Sequence, residues 1–331
     1  MSSARYQDPG YGITLIDTGY HRAEYAASYL IEDDGVAAFV ETGATPGVPS
    51  LLAELDRRNV SREAVAYVIV SHVHLDHAGG AGVLLSHLPN AHLVVHTLGA
   101  PHLIDPSRLS ASALEVYGEV AFRQSFQEIR PIPETRVIKG HDGLQLPLGS
   151  RTLTLYDTPG HARHHICVWD DKSRGLFSGD AFGIAYRELD NDGQPLIFPA
   201  TTPTQFDPET MRRSIDRLAS LQPRTVFLTH YGPLPFSPYL SETLHQLLDA
   251  YVTVAQRHAT DGQARHGHLV AGIEKTLLDF LARSPCSLPL ATRRELLAMD
   301  VEINAQGLAN WLDRELRAQQ ITPSAHQPGR R

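Results

Sequence analysis

The chain has 331 residues, more than one hydrophobic core usually holds, so we expect one large domain and an accessory segment. Of these residues 42% are hydrophobic and 20% charged, a composition typical of a soluble globular protein. Its formal net charge of −8 and the lack of a long basic block argue against a nucleic-acid partner. With two cysteines, no signal-like start and no apolar run of about 18 residues, the sequence predicts a cytoplasmic protein without a membrane span.

The first half of the chain alternates strand patterns with helix patterns. Strands are predicted at 12–19, 26–34 and 35–43, with Asp33-Asp34-Gly35 as a hairpin turn between the last two. A helix at 47–59, a continuous apolar strand at 64–72, a short helix at 81–88 and a buried strand at 92–97 follow. Residues 98–130 are predicted to be mostly helical, either as a lid over a site or as a packed insertion.

The second half returns to strands and ends in helices. The predicted strands are 135–140, 144–160, 165–171, 175–180 and 224–230, and the predicted helices are 209–221, 239–258, 265–284, 291–298 and 305–319, with an irregular proline-rich stretch at 195–208. Two β-rich halves with helices outside predict an α/β (α+β) fold, a four-layer αββα sandwich over residues 1–238. Residues 239–331 are a helical appendage whose apolar positions pack on the body or in a homodimer.

The stretch "SHVHLDHAGG" places four possible metal ligands just after a buried strand. His72 and His74 lie two apart on an extended segment and therefore face the same side, and Asp76 and His77 follow as the chain turns. Four such ligands are too close for one tetrahedral ion, which indicates two adjacent ions. Histidine and aspartate without cysteine favour a catalytic site over a closed structural one. A polar surface loop is the alternative, but the density of ligand-type residues disfavours it.

Three later residues repeat the pattern of a strand that ends in a ligand. His161 follows "LTLYDTPG", Asp180 follows "GLFSG" and His230 follows "TVFLT". Each residue alone is more often a hydrogen-bonding cap than a ligand. Together with the first four they make seven ligands, enough for two ions about 3.5–4 Å apart that share a carboxylate.

These motifs resemble a known family. "HVHLDH", "TPGH", "SGD" and "THYG", in this order, resemble the metallo-β-lactamase-fold hydrolases, and the helical tail is most similar to the glyoxalase-II-like branch. The resemblance covers about residues 12–235. It implies a first metal site of His72, His74 and His161, a second of Asp76, His77 and His230, and Asp180 as the bridging carboxylate.

The resemblance also implies a reaction. Two divalent ions, zinc first with iron or manganese as alternatives, lower the pKa of a shared water, and the hydroxide attacks an ester, thioester or lactone. Asp76 is the implied catalytic residue, orienting that hydroxide. The alternative is an oxidoreductase, because persulfide dioxygenases resemble this family and hold one iron with the equivalents of His72, His161 and Asp180.

The small-molecule substrate is less well defined by the sequence. Acyl-homoserine lactonases of this fold carry a tyrosine three residues after the bridging aspartate, where this chain has Gly183. His164 stands where glycine is common in the family, and it either reaches the substrate or packs locally. Aromatic residues near the motifs are further candidates for an apolar pocket wall, with core packing equally open for each: Phe182, Tyr186, Phe198 and Tyr231.

Overall fold

The fold comes from a computed structural model that describes residues 6–190, 195–201, 203–283 and 287–321. Residue 284 of the predicted helix 265–284 and residues 322–331 of the helical appendage lie outside the described residues. The strands of the first half are β1 Tyr6–Gly10, β2 Ile13–Asp17, β3 Ala27–Asp33, β4 Val36–Val40, β5 Val65–Ile69, β6 His92–His96 and β7 Val137–Gly140. Those of the second half are β8 Gln145–Leu148, β9 Arg151–Asp157, β10 Ile166–Asp170, β11 Gly175–Gly179, β12 Thr225–Leu228 and β13 Gly232–Pro235.

Helices follow the strands in both halves and complete the chain. They are α1 Val48–Arg58, α2 Leu75–Ala78, α3 Ala81–Ser86, α4 Ala100–Ile104, α5 Ser107–Ser125, α6 Pro208–Ser220, α7 Pro238–Arg257, α8 Arg265–Leu281 and α9 Leu290–Ile321. Among the described residues, none of these helices combines the length and apolar character needed to cross a membrane.

The strands form two mixed sheets. The first runs β1-β2-β3-β4-β5-β6-β7, antiparallel up to β4 and parallel from β4 to β7, and the second runs β13-β12-β11-β10-β9-β8 with β11 and β12 parallel. Their inner faces share one apolar core, in which the Tyr29 ring lies 5.2 Å from Phe177 and 5.4 Å from Phe227. Burying both inner faces in this way holds the two sheets together.

Helices cover the outer face of each sheet, so the predicted αββα sandwich is confirmed. Leu51 of α1 and Leu84 of α3 pack on the first sheet, where Val68 of β5 points outward. A second outer cluster joins Leu176 and Val226 of the second sheet to helices α6, α7, α8 and α9. The helical appendage therefore shares a hydrophobic core with the second sheet.

Several elements differ from the sequence prediction. The predicted strand 144–160 is two strands, β8 and β9, and the turn that carries Asp76 and His77 is the short helix α2. Strands β1 and β13 were not predicted, because Pro9, Pro233 and Pro235 read as breakers; both are edge strands, where a missing backbone donor is tolerated. The two predicted helices 291–298 and 305–319 form the single helix α9. The polar residues between them, Asp300 and Asn304, are buried and hydrogen-bonded to Tyr186 and Thr201, so the helix continues through them.

The predicted hairpin turn is confirmed. Asp34 and Gly35 adopt φ values of 47° and 79°, the left-handed pair that a tight two-residue hairpin requires. Gly80 has ordinary right-handed backbone angles, so its glycine is not required by the backbone conformation. A Cβ there would lie 2.8 Å from Val48 Cγ2 and 3.2 Å from the Thr42 carbonyl oxygen, so glycine is needed for close packing.

The 98–130 segment is helical, as predicted, and consists of α4 and α5 with a break at Gly118. Phe122 and Phe126 pack in a small cluster with Leu75, next to the predicted ligand Asp76. The segment thus touches the loop that carries possible ligands, and its role as a lid stays a prediction.

Candidate metal centre

All seven predicted ligands come from strand ends or the turns that follow them. His72 and His74 follow β5, and Asp76 and His77 lie in α2 directly after them. The other three come from the second half: His161 follows β9, Asp180 follows β11 and His230 follows β12. The fold brings these side chains from both sheets to one edge of the sandwich, where they form two adjoining groups.

The first group is built from three imidazoles. His72 Nε2 lies 2.7 Å from His74 Nδ1, and His161 Nε2 lies 3.2 Å from the same His74 atom. All three ligand nitrogens thus point at a common space.

The second group contains Asp76, His77 and His230. His230 Nε2 lies 3.3 Å from His77 Nε2 and 3.3 Å from Asp76 Oδ2. His77 Nε2 is 3.7 Å from the same aspartate oxygen. The three donor atoms again face one another across a small space.

Asp180 lies between the two groups, with one oxygen toward each. Its Oδ2 is 3.3 Å from His161 Nε2, and its Oδ1 is 3.4 Å from His77 Nε2 and 3.7 Å from His230 Nε2. Oδ1 is buried and accepts no hydrogen bond in the described structure. A buried carboxylate oxygen without a donor is costly unless a cation faces it.

The donor set fits divalent metal ions. With metal–nitrogen bonds of about 2.0–2.1 Å and tetrahedral angles, two ligand nitrogens on one zinc ion lie about 3.3 Å apart. The separations of 3.2 Å between His161 Nε2 and His74 Nδ1 and of 3.3 Å between His230 Nε2 and His77 Nε2 match that spacing. His72 Nε2 and His74 Nδ1 lie 2.7 Å apart and would have to separate by about half an ångström to share an ion. Histidine and carboxylate ligands suit zinc, iron and manganese alike.

The first-group histidines are held in the neutral form that binds metals. Burial and the neighbouring imidazoles of His77 and His74 lower the pKa of His72 far below its usual value. Burial and His161 lower the pKa of His74 to about 3. The pKa of His161 is lowered by burial too, although Asp180 opposes the shift. These side chains need not lose a proton before they bind a cation.

The second group has the opposite electrostatic character. Burial acts to raise the pKa of Asp180, but His77 and His161 outweigh it and hold that pKa well below the usual range. Asp76 behaves likewise, its pKa lowered by His77 and His230 against the effect of burial. In turn these carboxylates raise the pKa of His77 and of His230, again against burial. The carboxylates are therefore ionised and ready to neutralise a cation.

In His161, His230 and His77, the ring nitrogen Nδ1 points away from the other candidate ligands, and its polar contact orients the ring. His161 Nδ1 donates to the Ala200 carbonyl oxygen at 2.9 Å, and His230 Nδ1 donates to the Tyr25 carbonyl oxygen at 2.8 Å. These bonds direct Nε2 of both rings toward the candidate ligand groups. His77 Nδ1 faces the buried carboxylate of Glu41 at 3.2 Å, the pairing that commonly supports a metal-bound imidazole.

The loop of Asp180 is fixed by His165 and by a glycine. The Asp180 backbone N–H donates to His165 Nε2 at 3.2 Å, and the other ring nitrogen of His165 lies 2.9 Å from Thr158 Oγ1. Gly179 has φ +48°, and a Cβ there would lie 2.5 Å from Ser71 Oγ and 2.6 Å from His165 Nε2. Only glycine allows Asp180 to approach this closely.

His164 lies beside the first ligand group. Its ring centroid is 6.3 Å from those of His72 and His74 and 6.2 Å from that of His102. The side chain is buried, and its Nδ1 makes no hydrogen bond in the described structure. Burial and the nearby His102 lower the pKa of His164 to about 4, so the ring is neutral near pH 7.

The aromatic candidates for a pocket wall are all fully buried. Phe182, Tyr186 and Phe198 belong to the cluster between the second sheet and its helices, and Tyr231 belongs to the core between the sheets. Tyr186 connects to a candidate ligand through Tyr25, because its ring stacks 5.4 Å from Tyr25, which in turn lies edge-on to His230. Their role as a pocket wall stays a prediction.

Position 183, where acyl-homoserine lactonases carry a tyrosine, has no room for a side chain in this protein. It adopts φ +83°, and a Cβ there would lie 2.6 Å from Leu244 Cδ2 and 2.7 Å from the Phe198 carbonyl oxygen. Helix α7 therefore occupies the space that a side chain at position 183 would need.

Sequence reasoning missed three residues that support the centre: Glu41, Ser71 and Tyr25. Glu41 ends an apolar strand ("AAFVETG"), the same signal that identified the ligands, but it stands alone and so reads as a cap. Ser71 Oγ lies 2.9 Å from His72 Nδ1, and Tyr25 contributes its carbonyl and its ring to His230. No spacing rule identifies Tyr25, because its partner His230 lies 205 residues away, and Ser71 carries no signal beyond its position directly before His72.

The sequence matches the model of a known protein family. A family model described as the metallo-beta-lactamase superfamily matches residues 21–230, which is more than half of the chain and includes all seven ligands.

Three relatives illustrate the similarity. The metallo-beta-lactamase fold-containing protein ST1585 of Sulfurisphaera tokodaii is 27% identical over 230 residues, covering 68% of this chain and 79% of the relative. A hydroxyacylglutathione hydrolase of Shewanella sp. is 26% identical over 256 residues, covering 76% and 79%, respectively. An acyl-coenzyme A thioesterase, MBLAC2 of Gallus gallus, is 31% identical over 118 residues, covering 34% and 40%.

A solved structure agrees with the fold. The crystal structure of ST1585, given as from Sulfolobus tokodaii, superimposes with a TM-score of 0.62 at 22% identity and covers 91% of this chain and 99% of the archaeal one.

Proposed function

Because the chain belongs to the metallo-beta-lactamase superfamily, we propose that it is a hydrolase whose seven ligands hold two divalent metal ions side by side. The observation that carries this proposal is the position of Asp180. Its two oxygens face different ligand groups, 3.3 Å from His161 Nε2 on one side and 3.4 Å from His77 Nε2 on the other. A carboxylate shared in this way is typical of a two-ion site.

The metal ions would be held by the two ligand groups, of which the second would release protons from His77 and His230 on binding. His72, His74 and His161 would bind one ion, and Asp76, His77 and His230 the other, with Asp180 common to both. Zinc is the first choice, with iron or manganese as alternatives. When bound, such ions supply Lewis acidity and lower the pKa of a water molecule.

Asp76 is the residue to which we assign proton handling. Its side chain is 25% exposed, against 7% or less for His77, Asp180 and His230. Oδ2 faces His230 and His77, so Oδ1 is the atom available to accept a hydrogen bond from the attacking water. Its lowered pKa keeps it ionised as an acceptor at neutral pH.

The proposed substrate is a small molecule with an ester, thioester or lactone bond. Two of the relatives are named as an acyl-coenzyme A thioesterase and a hydroxyacylglutathione hydrolase, which supports testing thioesters first. The filled space at Gly183 supports a lower priority for acyl-homoserine lactones, because this chain has no room for a tyrosine there.

Metal analysis joined to a substrate panel tests the proposal. The purified protein is loaded with zinc, iron or manganese, its metal content is measured, and hydrolysis of thioesters, esters and lactones is followed. We expect two equivalents of metal and hydrolysis of at least one acyl substrate. One equivalent of iron, with oxygen uptake on glutathione persulfide and no hydrolysis, would instead favour the oxidoreductase alternative.

A further inference from the structure

A second cluster of metal-type ligands lies in the helical appendage. His258 follows the last residue of α7, Asp261 lies in the connection to α8, and His268 lies in the first turn of α8. His258 Nδ1 is 2.7 Å and His268 Nδ1 is 2.6 Å from the same oxygen, Oδ2 of Asp261. We call these three residues the His-Asp-His cluster, and all three are partly exposed to solvent.

The geometry points to a separate binding site for a divalent transition-metal ion, and we propose that the His-Asp-His cluster binds zinc or a similar ion. The two imidazole rings lie 4.8 Å apart, and the three donor atoms all lie within 4.8 Å of one another. Two imidazoles and one carboxylate suit zinc, nickel or copper, whereas magnesium and calcium prefer oxygen ligands throughout. Water would complete the coordination, because the cluster is open to solvent.

The simpler interpretation is that both imidazoles donate hydrogen bonds to Asp261. The nitrogen–oxygen distances of 2.6–2.7 Å fit those bonds, and they are shorter than the roughly 3.2 Å between two ligand atoms on one zinc ion. To admit a metal ion, the ligand atoms therefore need to move apart by about half an ångström, and each Nδ1 proton must move to Nε2 of its ring or to solvent. Partly exposed side chains can make that adjustment at little cost.

The backbone around the cluster is already ordered for binding. The His258 N–H donates to the Val254 and Ala255 carbonyls, and the Asp261 N–H donates to the His258 carbonyl at 3.2 Å. One cation near the cluster in sequence, Arg265, lies 2.8 Å from Asp313 and so is engaged elsewhere. Hydrogen bonds from His258 and His268 lower the pKa of Asp261, which keeps its charge available to a cation.

A metal ion at this position would join the end of α7 to the start of α8. Any ligand that binds only the folded state stabilises it. The expected effect is therefore a zinc-dependent increase in the melting temperature, separate from catalysis.

Calorimetric titration of the metal-free protein with zinc chloride tests the proposal. Three variants are compared with the wild type: His258→Gln, His268→Gln and His266→Gln. His266 is the matched control, because it lies in the same turn of α8 but pairs with Glu302. Circular dichroism checks that each variant is folded.

We expect the wild type to bind one more zinc equivalent than His258→Gln or His268→Gln, or to bind it at least about tenfold more tightly. His266→Gln should match the wild type. Because the count is a difference between proteins that share the same main centre, it does not depend on how many ions that centre holds. Equal binding by all four proteins, or an equal loss in His266→Gln, would overturn the proposal.

Discussion

At the scale of single residues, the chemistry of the centre depends on which hydrogen bond each ligand makes on its far side. His161 and His230 each give their Nδ1–H to a backbone carbonyl, whereas His77 faces the carboxylate of Glu41. The carbonyl bonds orient the ring, and the carboxylate also raises the basicity of the imidazole. Glu41 is therefore the supporting residue whose replacement should be most informative.

Replacing Glu41 by glutamine should weaken metal binding at the group of Asp76, His77 and His230. Glutamine keeps the size of the side chain but removes the charge that helps to raise the pKa of His77. We expect the affinity for the ion at this group to fall by about 10–100-fold. Competitive chelator titration measures it, with Glu302→Gln on the surface of α9 as the control. Unchanged affinity would show that Glu41 serves only the packing of the loop.

Replacing Asp76 by alanine should abolish most hydrolysis and leave the fold intact. The change removes a ligand and the proposed hydrogen-bond acceptor that orients the attacking water, so we expect kcat to fall by about a thousandfold or more. The side chain is 25% exposed, so the melting temperature of the metal-free protein should change little. Asp279→Ala, at an exposed pair with Lys275, is the control. Turnover by a folded, purified Asp76 variant at the wild-type rate would contradict the assignment.

His164 offers a test that separates packing from substrate contact. Its Nδ1 is buried without a hydrogen-bond partner, and such an atom costs about 1–3 kcal/mol. Phenylalanine fills a similar space without that atom, so His164→Phe should raise the free energy of unfolding by about 1 kcal/mol. If the ring also contacts substrate, kcat/KM should fall by about tenfold at unchanged metal content. Increased stability with unchanged kcat/KM would assign His164 to packing alone.

At the scale of elements, helix α9 connects the appendage to the centre through a buried polar contact. Tyr186 donates to both oxygens of Asp300, at 3.1 and 3.0 Å, and its ring stacks on Tyr25, whose carbonyl orients His230. Burial raises the pKa of Asp300 to about 7, although Tyr186, His230 and Arg22 oppose the shift. The other titratable groups that interact with Asp300 are Tyr25, Tyr251 and Asp180.

This raised pKa predicts a loss of stability as the pH rises. Between the usual carboxyl value and about 7, the folded state binds more protons at Asp300 than the unfolded state, so the free energy of unfolding falls across that window. Asn accepts the same hydrogen bond without a charge. Asp300→Asn should therefore be more stable than the wild type at pH 8, by a margin that shrinks toward pH 5. Denaturation with urea at both pH values measures the margin, and a constant margin would contradict the prediction.

At the scale of the whole molecule, the appendage and the second sheet stabilise each other. Helices α6 to α9 bury their apolar faces in the cluster that also holds Leu176 and Val226 of the sheet. Leu244 of α7 is fully buried and packs directly against Gly183, in the loop after Asp180. Packing in the appendage therefore reaches the loop that carries the shared carboxylate.

Shortening Leu244 to alanine should destabilise the whole protein. Deletion of a buried leucine leaves a cavity and costs about 2–5 kcal/mol. Because the cavity would adjoin Gly183, we also expect kcat to fall while the protein remains folded. Leu114→Ala, at a half-exposed position of α5, should cost less than about 1 kcal/mol and is the matched control. Similar unfolding curves for the two variants would contradict the shared-core interpretation.

The layered fold was predictable from the sequence, and the sequence also predicted the side chains that the structure brings together as candidate ligands. Each ligand follows an apolar run, as in "AVAYVIVSHVHLDH", and that local pattern predicts a strand end with polar side chains. Local patterns were insufficient for β1 and β13, because proline usually interrupts a strand although an edge strand tolerates it. They were also insufficient for α9, where the sequence predicted two helices and the structure has one. Local patterns contain no information on which strand forms an edge or which polar side chain finds a buried partner.

Hydrophobic periodicity and ligand spacing in this sequence determined that two β-rich halves would bury a common core and present histidines and aspartates at strand ends. Only the tertiary structure decided that Asp180 faces both ligand groups, that Glu41 and Tyr25 support His77 and His230, and that α7 fills the space beside Gly183. The physical reason is that periodicity is a property of neighbours along the chain. Pairings between atoms 36 or 205 residues apart, as in His77–Glu41 and His230–Tyr25, arise only when the packed sheets and helices bring those atoms within bonding distance.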